Sequence, residues 1–411
     1  MLLSILLLFF LIFWSVRKFK NIINPISLFC GSYTISVTAV VFSDSLGLLR
    51  LMAVEDIQPF CTLINIAIIC FCTPWFFVQP NTILSQNQFI IIEYIDIKKI
   101  VFYLSVFSLI LLFTISIFVG GLPMILMWQG KIDVGAYNDL LESMPFGLLA
   151  IILNVATLFL IYIVSIMINK KYYSFTKIEI LFYTIVILLL CFWQSKRQLL
   201  LMFIFIFTIR WYFNTSISTV KNKKKPLQTF LLLGILYLFY LSFNIVSTIR
   251  QNTDTVNKNE LLEYAMYPAM NMVKIVDNFP FYGKGIVAPN YILTEILPRR
   301  FIGKGGFDFT TILFEPTSPS GYLSYWFMDY GCYGIIIACL MLSLFSIYVY
   351  KKSVKSEIDL RIYILILWCC ATSSVYNHFI SLNFFIMPYM LLILMKYLLK
   401  KEKKILQNDH N

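Results

Sequence analysis

The feature that most constrains this chain is a series of long apolar runs that recurs from one end to the other. Runs of about 16 to 22 residues cross a hydrocarbon core of ~30 Å as helices that rise ~1.5 Å per residue. We therefore expect an all-α fold, a polytopic integral membrane helical bundle with about eleven transmembrane helices. The predicted spans are residues 2–16, 25–43, 57–78, 100–120, 147–168, 178–193, 199–215, 229–247, 322–349, 362–378 and 384–399.

The composition excludes several other classes of protein. Only 13% of the residues are charged and 59% are hydrophobic, whereas a soluble domain is about 25% charged. These values do not fit a water-soluble enzyme, a disordered chain or a nucleic-acid-binding domain. The net charge of +12 therefore needs an explanation that involves the membrane.

The positions of the basic residues supply that explanation. If the N-terminus lies outside and the spans alternate, 22 of the 33 Lys and Arg residues fall in inside segments, among them Lys18, Lys170, Lys171, Lys223 and Arg361. Cytoplasmic segments carry the excess of cations in membrane proteins, and cations there contact anionic lipid headgroups. The pattern predicts an outside N-terminus and a cytoplasmic C-terminus, with the lipid bilayer as a partner and no nucleic acid.

One outside loop is much longer than the others. Residues 248–321 separate the eighth and ninth spans, and apolar residues recur at helical spacing in two parts of this loop, 260–278 and 289–297. Such amphipathic helices either lie on the membrane and cover a cavity, or pack against the bundle. We treat residues 1–411 as a single transmembrane domain with this one large extracytoplasmic loop.

Nine of the eleven outer cations cluster in the large loop and in the short connection between the sixth and seventh spans, and the other two are Arg50 and Lys131. This connection consists of residues 194–198 and joins two spans too short to cross the whole hydrocarbon core, which favours a turn at headgroup depth. The arginine fork matches phosphate oxygens, and lysine supplies a compact charge. The cations therefore predict a diphosphate site, and the alternative is that they snorkel into lipid headgroups. The residues assigned to the diphosphate are Arg197, Arg250, Lys196, Arg299 and Arg300.

Candidate general bases on the outer face are few. His378 is the only outer histidine and stands at the end of the tenth span, and imidazole exchanges a proton near neutral pH. Asp329 lies at the mouth of the ninth span among tyrosine and tryptophan residues, which form either an interfacial aromatic belt or a platform for sugar rings. Glu315 is the third candidate. The alternative for His378 is a polar residue at the membrane interface.

Cysteine usage and motifs argue against a metal or nucleotide site. All nine cysteines fall in predicted spans, and we expect them to pack as small apolar residues. The Cys-x-Cys at residues 70–72 lacks the histidine or carboxylate neighbours of a metal site. The chain has no Walker loop, no Asp-x-Asp motif and no His-Glu-x-x-His motif. The sequence therefore predicts neither a metal nor a cofactor.

In its layout the chain resembles the bacterial O-antigen and capsule repeat-unit polymerases (the Wzy type), which have ten to fourteen spans and a large outer loop in the second half. Three stretches carry the resemblance. They are Gln194-Ser195-Lys196-Arg197, Arg250 at the start of the large loop, and residues 315–321 (Glu-Pro-Thr-Ser-Pro-Ser-Gly) running into residues 325–334 (Tyr-Trp-Phe-Met-Asp-Tyr-Gly-Cys-Tyr-Gly).

The resemblance implies a multi-pass enzyme of the bacterial inner membrane that joins oligosaccharide units on its periplasmic face. Donor and acceptor are both linked to undecaprenyl diphosphate. A hydroxyl of the acceptor attacks the anomeric carbon of the donor, and undecaprenyl diphosphate leaves. The outer cations would stabilise the departing diphosphate, and one of the three candidate bases would take the proton. A separate regulator of chain length is an optional further partner.

Two other functions share part of this layout. An O-antigen ligase differs in its acceptor, and that family usually has a histidine within or just after the large loop, whereas His378 comes one span later. A flippase or other transporter lines its path with charged residues inside the spans, and the middles of these spans are nearly free of charge.

Overall fold

The computed structural model describes residues 2–45, 57–80, 97–132, 146–167, 176–193, 197–218, 260–278, 321–353, 356–375, 379 and 381–408. All regular structure within these ranges is helical, which confirms the all-α class. The helices are α1 Leu2–Phe19, α2 Pro25–Ser45, α3 Gln58–Cys72 with a 3₁₀ turn Thr73–Phe77, α4 Ile97–Val119, α5 Pro123–Trp128, α6 Phe146–Met167, α7 Lys177–Trp193, α8 Arg197–Ser218, α9 Glu260–Asn278, α10 Tyr322–Lys352, α11 Glu357–Thr372, a π-helical turn Leu382–Ile386 and α12 Met387–Asn408.

Ten of the eleven predicted spans overlap one of these helices, and the eighth, 229–247, lies outside the described residues. Five helical stretches of the described chain are long and apolar enough to cross a membrane. Those five stretches are Leu2–Phe19, Gln58–Phe77, Lys98–Val119, Leu148–Ser165 and Tyr322–Lys352.

The exposed faces of the long helices are apolar. Such surfaces are unfavourable in water, whereas lipid tails are as apolar as leucine and cover them without loss. The chain is therefore a helical membrane protein. On α1, for example, the exposed residues recur every three or four positions: Leu2, Leu3, Leu6, Phe9, Phe10 and Phe13.

The chain divides into two compact units, each built from several chain segments. The first contains α1, α2, α3, α10 and most of α9 and α11, whereas the second contains α4 to α8, the start of α11 and α12. The first unit comprises Met1–Thr82, Leu261–Val354 and Ile362–Ile386, and the second comprises Ile83–Glu260, Lys355–Arg361 and Met387–Asn411.

An aromatic cluster marks one end of the first unit. Phe19, Trp75, Tyr350 and Tyr363 pack ring against ring, with neighbouring centroids 5.5 to 5.7 Å apart. The Nζ of Lys18 donates to the carbonyl of Trp75 at 2.9 Å and so satisfies a carbonyl at the end of the 3₁₀ turn. Four chain segments therefore meet at one level, and the sequence prediction that Lys18 serves lipid headgroups misses its role as a helix cap.

The sequence prediction that inside cations contact headgroups is wrong for Arg361 in the second unit. Its side chain is fully buried, and its guanidinium donates to the carbonyl of Ser165 at 2.9 Å. Ser165 lies in the last turn of α6, where the final carbonyls lack helical partners and the helix dipole is negative. A cation is favourable there, so Arg361 stabilises a helix end inside the protein.

Helix α9 has the predicted bounds, Glu260–Asn278. The sequence left open whether this helix lies on the membrane or packs against the bundle. Residues 268–273 are all buried, and six consecutive helical positions cover every side of a helix. This part of α9 is packed inside protein. The second amphipathic piece, 289–297, lies outside the described residues.

An ion pair joins the start of α11 to α12 in the second unit. The Nζ of Lys396 lies 2.5 and 2.6 Å from the two carboxylate oxygens of Asp359. The hydroxyl of Ser356 donates to the same carboxylate at 2.8 Å. Asp359 is buried, whereas more than a third of the Lys396 side chain is exposed. Loss of the ion pair is therefore more costly for the buried carboxylate of Asp359 than for the partly exposed ammonium group of Lys396.

We expect Lys396→Met to destabilise the protein more than Asp359→Asn. Removing the lysine leaves a buried carboxylate without its charge partner, which costs about 3 to 5 kcal/mol in a fully buried pair and less here because Lys396 is partly exposed. Removing the charge of Asp359 leaves a lysine that can extend into water or headgroups. The measurement is the apparent melting temperature of each purified variant in detergent, with the exposed Lys351→Met as the matched control. Equal losses for the two variants would contradict this asymmetry.

Candidate functional site

The predicted ninth span, 322–349, contains a break that the sequence analysis did not anticipate. Within α10, Gly331 has φ 58° and ψ −142°, which is not a helical conformation. Residues with a Cβ rarely adopt this backbone, whereas glycine does so at little cost. Two helical arms therefore meet at this glycine, residues 322–330 (the first arm) and residues 332–352 (the second arm).

Two close approaches show that the arms form an antiparallel hairpin. The hydroxyl of Tyr322 donates to the carbonyl of Ala338 at 3.1 Å, although these residues would be ~24 Å apart along a straight helix. A Cβ on Gly334 would collide with the carbonyl oxygen of Trp326. Both pairs are symmetric about residue 330. The first arm therefore runs back along the second, and Gly334 lets the two backbones touch.

The second arm is long enough to cross a membrane without the first. Residues 332–352 reach roughly 30 Å at ~1.5 Å per residue, the thickness of the hydrocarbon core. The first arm adds no length to this crossing because it lies beside it. The hairpin therefore has a tip, defined as residues 329–333, and a foot, defined as Gly321 and Tyr322.

The foot is attached to the end of α11. The backbone N–H of Tyr322 donates to the carbonyl of Ser373 at 2.8 Å. Gly321 has φ 79°, and a Cβ there would lie 2.6 Å from the carbonyl oxygen of Ser374. The start of one helix thus meets the end of another, and a free N–H pairs with a free carbonyl. The positive end of one helix dipole also lies next to the negative end of the other, which is favourable.

Helix α2 fixes the same point from the other side. The hydroxyl of Ser32 donates to the hydroxyl of Ser374 at 2.6 Å and accepts the backbone N–H of Ser374 at 3.0 Å. The hydroxyl of Tyr33 donates to the carbonyl of Ser373 at 3.3 Å. The ring of Phe379 lies 5.5 Å from that of Tyr322. The foot is therefore held by a buried network of hydroxyl and backbone groups.

The tip carries the predicted base Asp329. Its side chain is only 4% exposed, and it is the one buried charged residue among the described residues of the first unit. The neighbouring rings of Tyr330 and Tyr333 are 47% and 73% exposed. The aromatic residues of this stretch therefore divide between interior and surface, since Tyr322 and Tyr325 are buried. They do not form the single platform considered from the sequence.

Most of the other predicted site residues lie outside the described residues. Arg197 is the first residue of α8, in the second unit. The predicted site residues outside the described ranges are His378, Glu315, Lys196, Arg250, Arg299 and Arg300. The structure thus describes the carboxylate side of the predicted site, and the assigned diphosphate ligands stay predictions from sequence.

The cysteines behave largely as expected. Seven of the nine are buried, Cys70 is half-buried, and Cys332 at the hairpin tip is exposed. The prediction of apolar packing is therefore wrong for Cys332, because the break at Gly331 turns it outward from the arm interface. No group of three or more His, Cys, Asp or Glu residues in the described ranges could hold a metal ion.

Sequence reasoning missed the residues that build the hairpin. In the sequence, Gly331 and Gly334 stand out only as members of the 325–334 stretch, and nothing distinguishes Ser32 or Ser374 from other serines in apolar segments. Their contacts link positions 342 residues apart, which no local pattern reveals. Comparison of the chain with protein-family models, curated proteins and solved structures finds no match.

Proposed function

We propose that this chain is an O-antigen (repeat-unit) polymerase, a membrane glycosyltransferase that joins undecaprenyl-diphosphate-linked oligosaccharide units. One observation carries the proposal. The stretch that resembles the polymerase family folds into a hairpin, and its tip buries the carboxylate of Asp329 where a membrane-crossing arm begins. A general base at the membrane surface is what transfer between two lipid-linked sugars requires.

The proposal includes eleven spans, a periplasmic N-terminus, and residues 248–321 as the large periplasmic loop. The aromatic cluster supports this orientation. Its members Phe19, Trp75, Tyr350 and Tyr363 lie at the ends of spans that the basic residues assign to the cytoplasmic side, and they contact each other. Because the second arm ends at that level and is roughly 30 Å long, the proposal puts the hairpin tip at periplasmic headgroup depth.

In the proposed reaction a new glycosidic bond replaces the bond to the lipid diphosphate. The acceptor hydroxyl attacks the anomeric carbon of the donor, and its proton passes to the carboxylate of Asp329, with His378 and Glu315 as the other candidate bases. The bond between the anomeric carbon and the diphosphate oxygen breaks. Undecaprenyl diphosphate leaves with that oxygen, held by Arg197 and Arg250 and the neighbouring cations, whose charges stabilise it.

Burial of the carboxylate suits this chemistry. A carboxylate shielded from bulk water favours a sugar hydroxyl over water as the attacking group, because water that cannot reach the site cannot hydrolyse the donor. The exposed rings of Tyr330 and Tyr333 next to it offer surfaces on which sugar rings can stack.

The test combines a gene deletion with a reconstituted assay. Deleting the gene in its host should leave lipopolysaccharide core that carries a single repeat unit, with the polymer ladder lost on a gel. The purified protein in liposomes should convert lipid-linked units into a ladder and release undecaprenyl diphosphate. Core without any unit would contradict the proposal and indicate a ligase or a flippase. Polymer that accumulates on the lipid carrier would then identify the ligase.

A further inference from the structure

The hairpin foot depends on one hydroxyl group from a distant helix. We propose that Ser32 on α2 is a positioning residue that fixes the foot and, through the first arm, the carboxylate of Asp329. The inference rests on the proposed polymerase function and adds to it a residue that neither contacts the substrate nor lies in the polymerase-like stretch. It connects the N-terminal part of the chain to the reacting groups.

The first step of the argument is the bonding of Ser32. Its hydroxyl donates to the Ser374 hydroxyl at 2.6 Å and accepts the Ser374 backbone N–H at 3.0 Å, so it uses both its donor and an acceptor. Ser32 is 4% exposed and Ser374 is 5% exposed. Bulk water therefore does not reach this position to replace the hydroxyl. Removing the Ser32 hydroxyl leaves the buried N–H of Ser374 without this acceptor.

The second step leads from Ser374 to the first arm. The carbonyl of Ser374 lies against Gly321, and the carbonyl of Ser373 accepts the N–H of Tyr322. A change in the Ser373–Ser374 turn therefore moves the start of the arm directly. The close approach at Gly321 leaves little room for the turn to shift while the arm stays in place.

The third step is the stiffness of the first arm. It is a short helix held against the second arm at Tyr322–Ala338 and at Trp326–Gly334. Asp329 lies in its last turn, only ~10 Å from the foot. A short helix moves as a body, so a displacement of the foot reaches the carboxylate nearly undiminished.

The consequence is a specific kinetic effect. A base must lie within hydrogen-bond reach of the proton it takes, and a misplacement of about 1 Å costs on the order of 10²-fold in rate. Loss of the Ser32 hydroxyl should therefore lower the turnover of bound substrate. Binding of the lipid-linked units depends on other groups and should change little.

The experiment measures steady-state kinetics of the purified full chain in liposomes with lipid-linked repeat units. Ser32→Ala should lower kcat at least tenfold and leave KM within about twofold of the wild-type value. The matched control is Ser36→Ala, one turn along the same helix. Ser36 is equally buried, and its hydroxyl makes no hydrogen bond in the described part of the chain, so this variant should keep the wild-type kcat.

A second variant keeps the inference testable if Ser32→Ala does not fold. Tyr33→Phe removes the 3.3 Å hydrogen bond to Ser373 and retains the ring, and it should lower kcat severalfold at constant KM. An unchanged kcat in Ser32→Ala overturns the inference. If Ser32→Ala does not fold, an unchanged kcat in Tyr33→Phe overturns it instead. Equal losses in Ser32→Ala and Ser36→Ala, or a rise in KM alone, also overturn it while the polymerase function stands. Wild-type protein that forms no polymer overturns both proposals.

Discussion

Gly334→Ala should lower the apparent melting temperature of the protein by on the order of 1 to 4 °C. The added Cβ would collide with the carbonyl oxygen of Trp326 and lie 2.9 Å from the Cβ of Tyr330. The first of these is a backbone atom, which cannot rotate away as the end of a side chain can. Overpacking of this kind costs about 1 to 3 kcal/mol. The entropy of unfolding is about 2.1 cal/mol/K per residue, so each kcal/mol shifts the melting temperature of a chain of 411 residues by about 1 °C. The measurement is thermal unfolding in detergent followed by tryptophan fluorescence.

The same substitution at Gly31 is the matched control. Gly31 also lies in a helix of the first unit, but nothing lies within 4 Å of the position its Cβ would take. Alanine favours a helix over glycine by up to about 1 kcal/mol, so Gly31→Ala should leave the melting temperature unchanged or raise it slightly. If both variants melt alike, the two arms of α10 do not touch at Gly334 and the hairpin is incorrect.

The positions of the long helices followed from the sequence with small errors. The first predicted span, 2–16, corresponds to Leu2–Phe19, and the fifth, 147–168, corresponds to Phe146–Met167. Apolar length is a strong signal because a membrane leaves few alternatives to a helix. The amphipathic helix at 260–278 was equally clear, since its apolar residues recur at helical spacing.

The hairpin could not be deduced in the same way, although one signal pointed to it. Helix α10 contains 31 residues, which would extend ~46 Å if straight, well beyond the ~30 Å core. An apolar run of excess length either tilts or folds back, and hydropathy does not distinguish these outcomes. The choice depends on the backbone angles of Gly331 and on the contact at Gly334, which are properties of the folded chain.

The two residues on which the proposals depend differ in how visible they are in the sequence. Asp329 stood out as a carboxylate at the mouth of a span, and the structure places it, buried, at the hairpin tip. Ser32 could not be found because a serine in an apolar helix is ordinary, and its partner Ser374 is 342 residues away. Arg361 was misjudged for a related reason. The charge of a residue favours the cytoplasmic side of the membrane, but it does not tell whether the side chain faces lipid or a helix end.

Arg197→Ala and Arg250→Ala should each abolish the polymer ladder while the protein still inserts in the membrane at normal abundance. Both residues belong to the predicted diphosphate site, and preorganised cations act where negative charge develops as the lipid diphosphate leaves. Loss of one such group lowers turnover by roughly 10²- to 10³-fold. The measurement is the ladder in the deletion host complemented with each variant, with protein abundance followed by immunoblot of membranes.

The matched control for these arginines is Lys131→Ala. Lys131 is also predicted to be an outer cation, it is exposed, and it lies outside the cationic cluster. A general need for positive charge at the outer surface would reduce polymer in all three variants alike, whereas a diphosphate site predicts a full ladder for Lys131→Ala alone. Arg197→Lys adds a finer test, because lysine keeps the charge but loses the planar fork that binds two phosphate oxygens at once. It should restore part of the polymer, and a full ladder from Arg197→Ala and Arg250→Ala would remove both residues from the site.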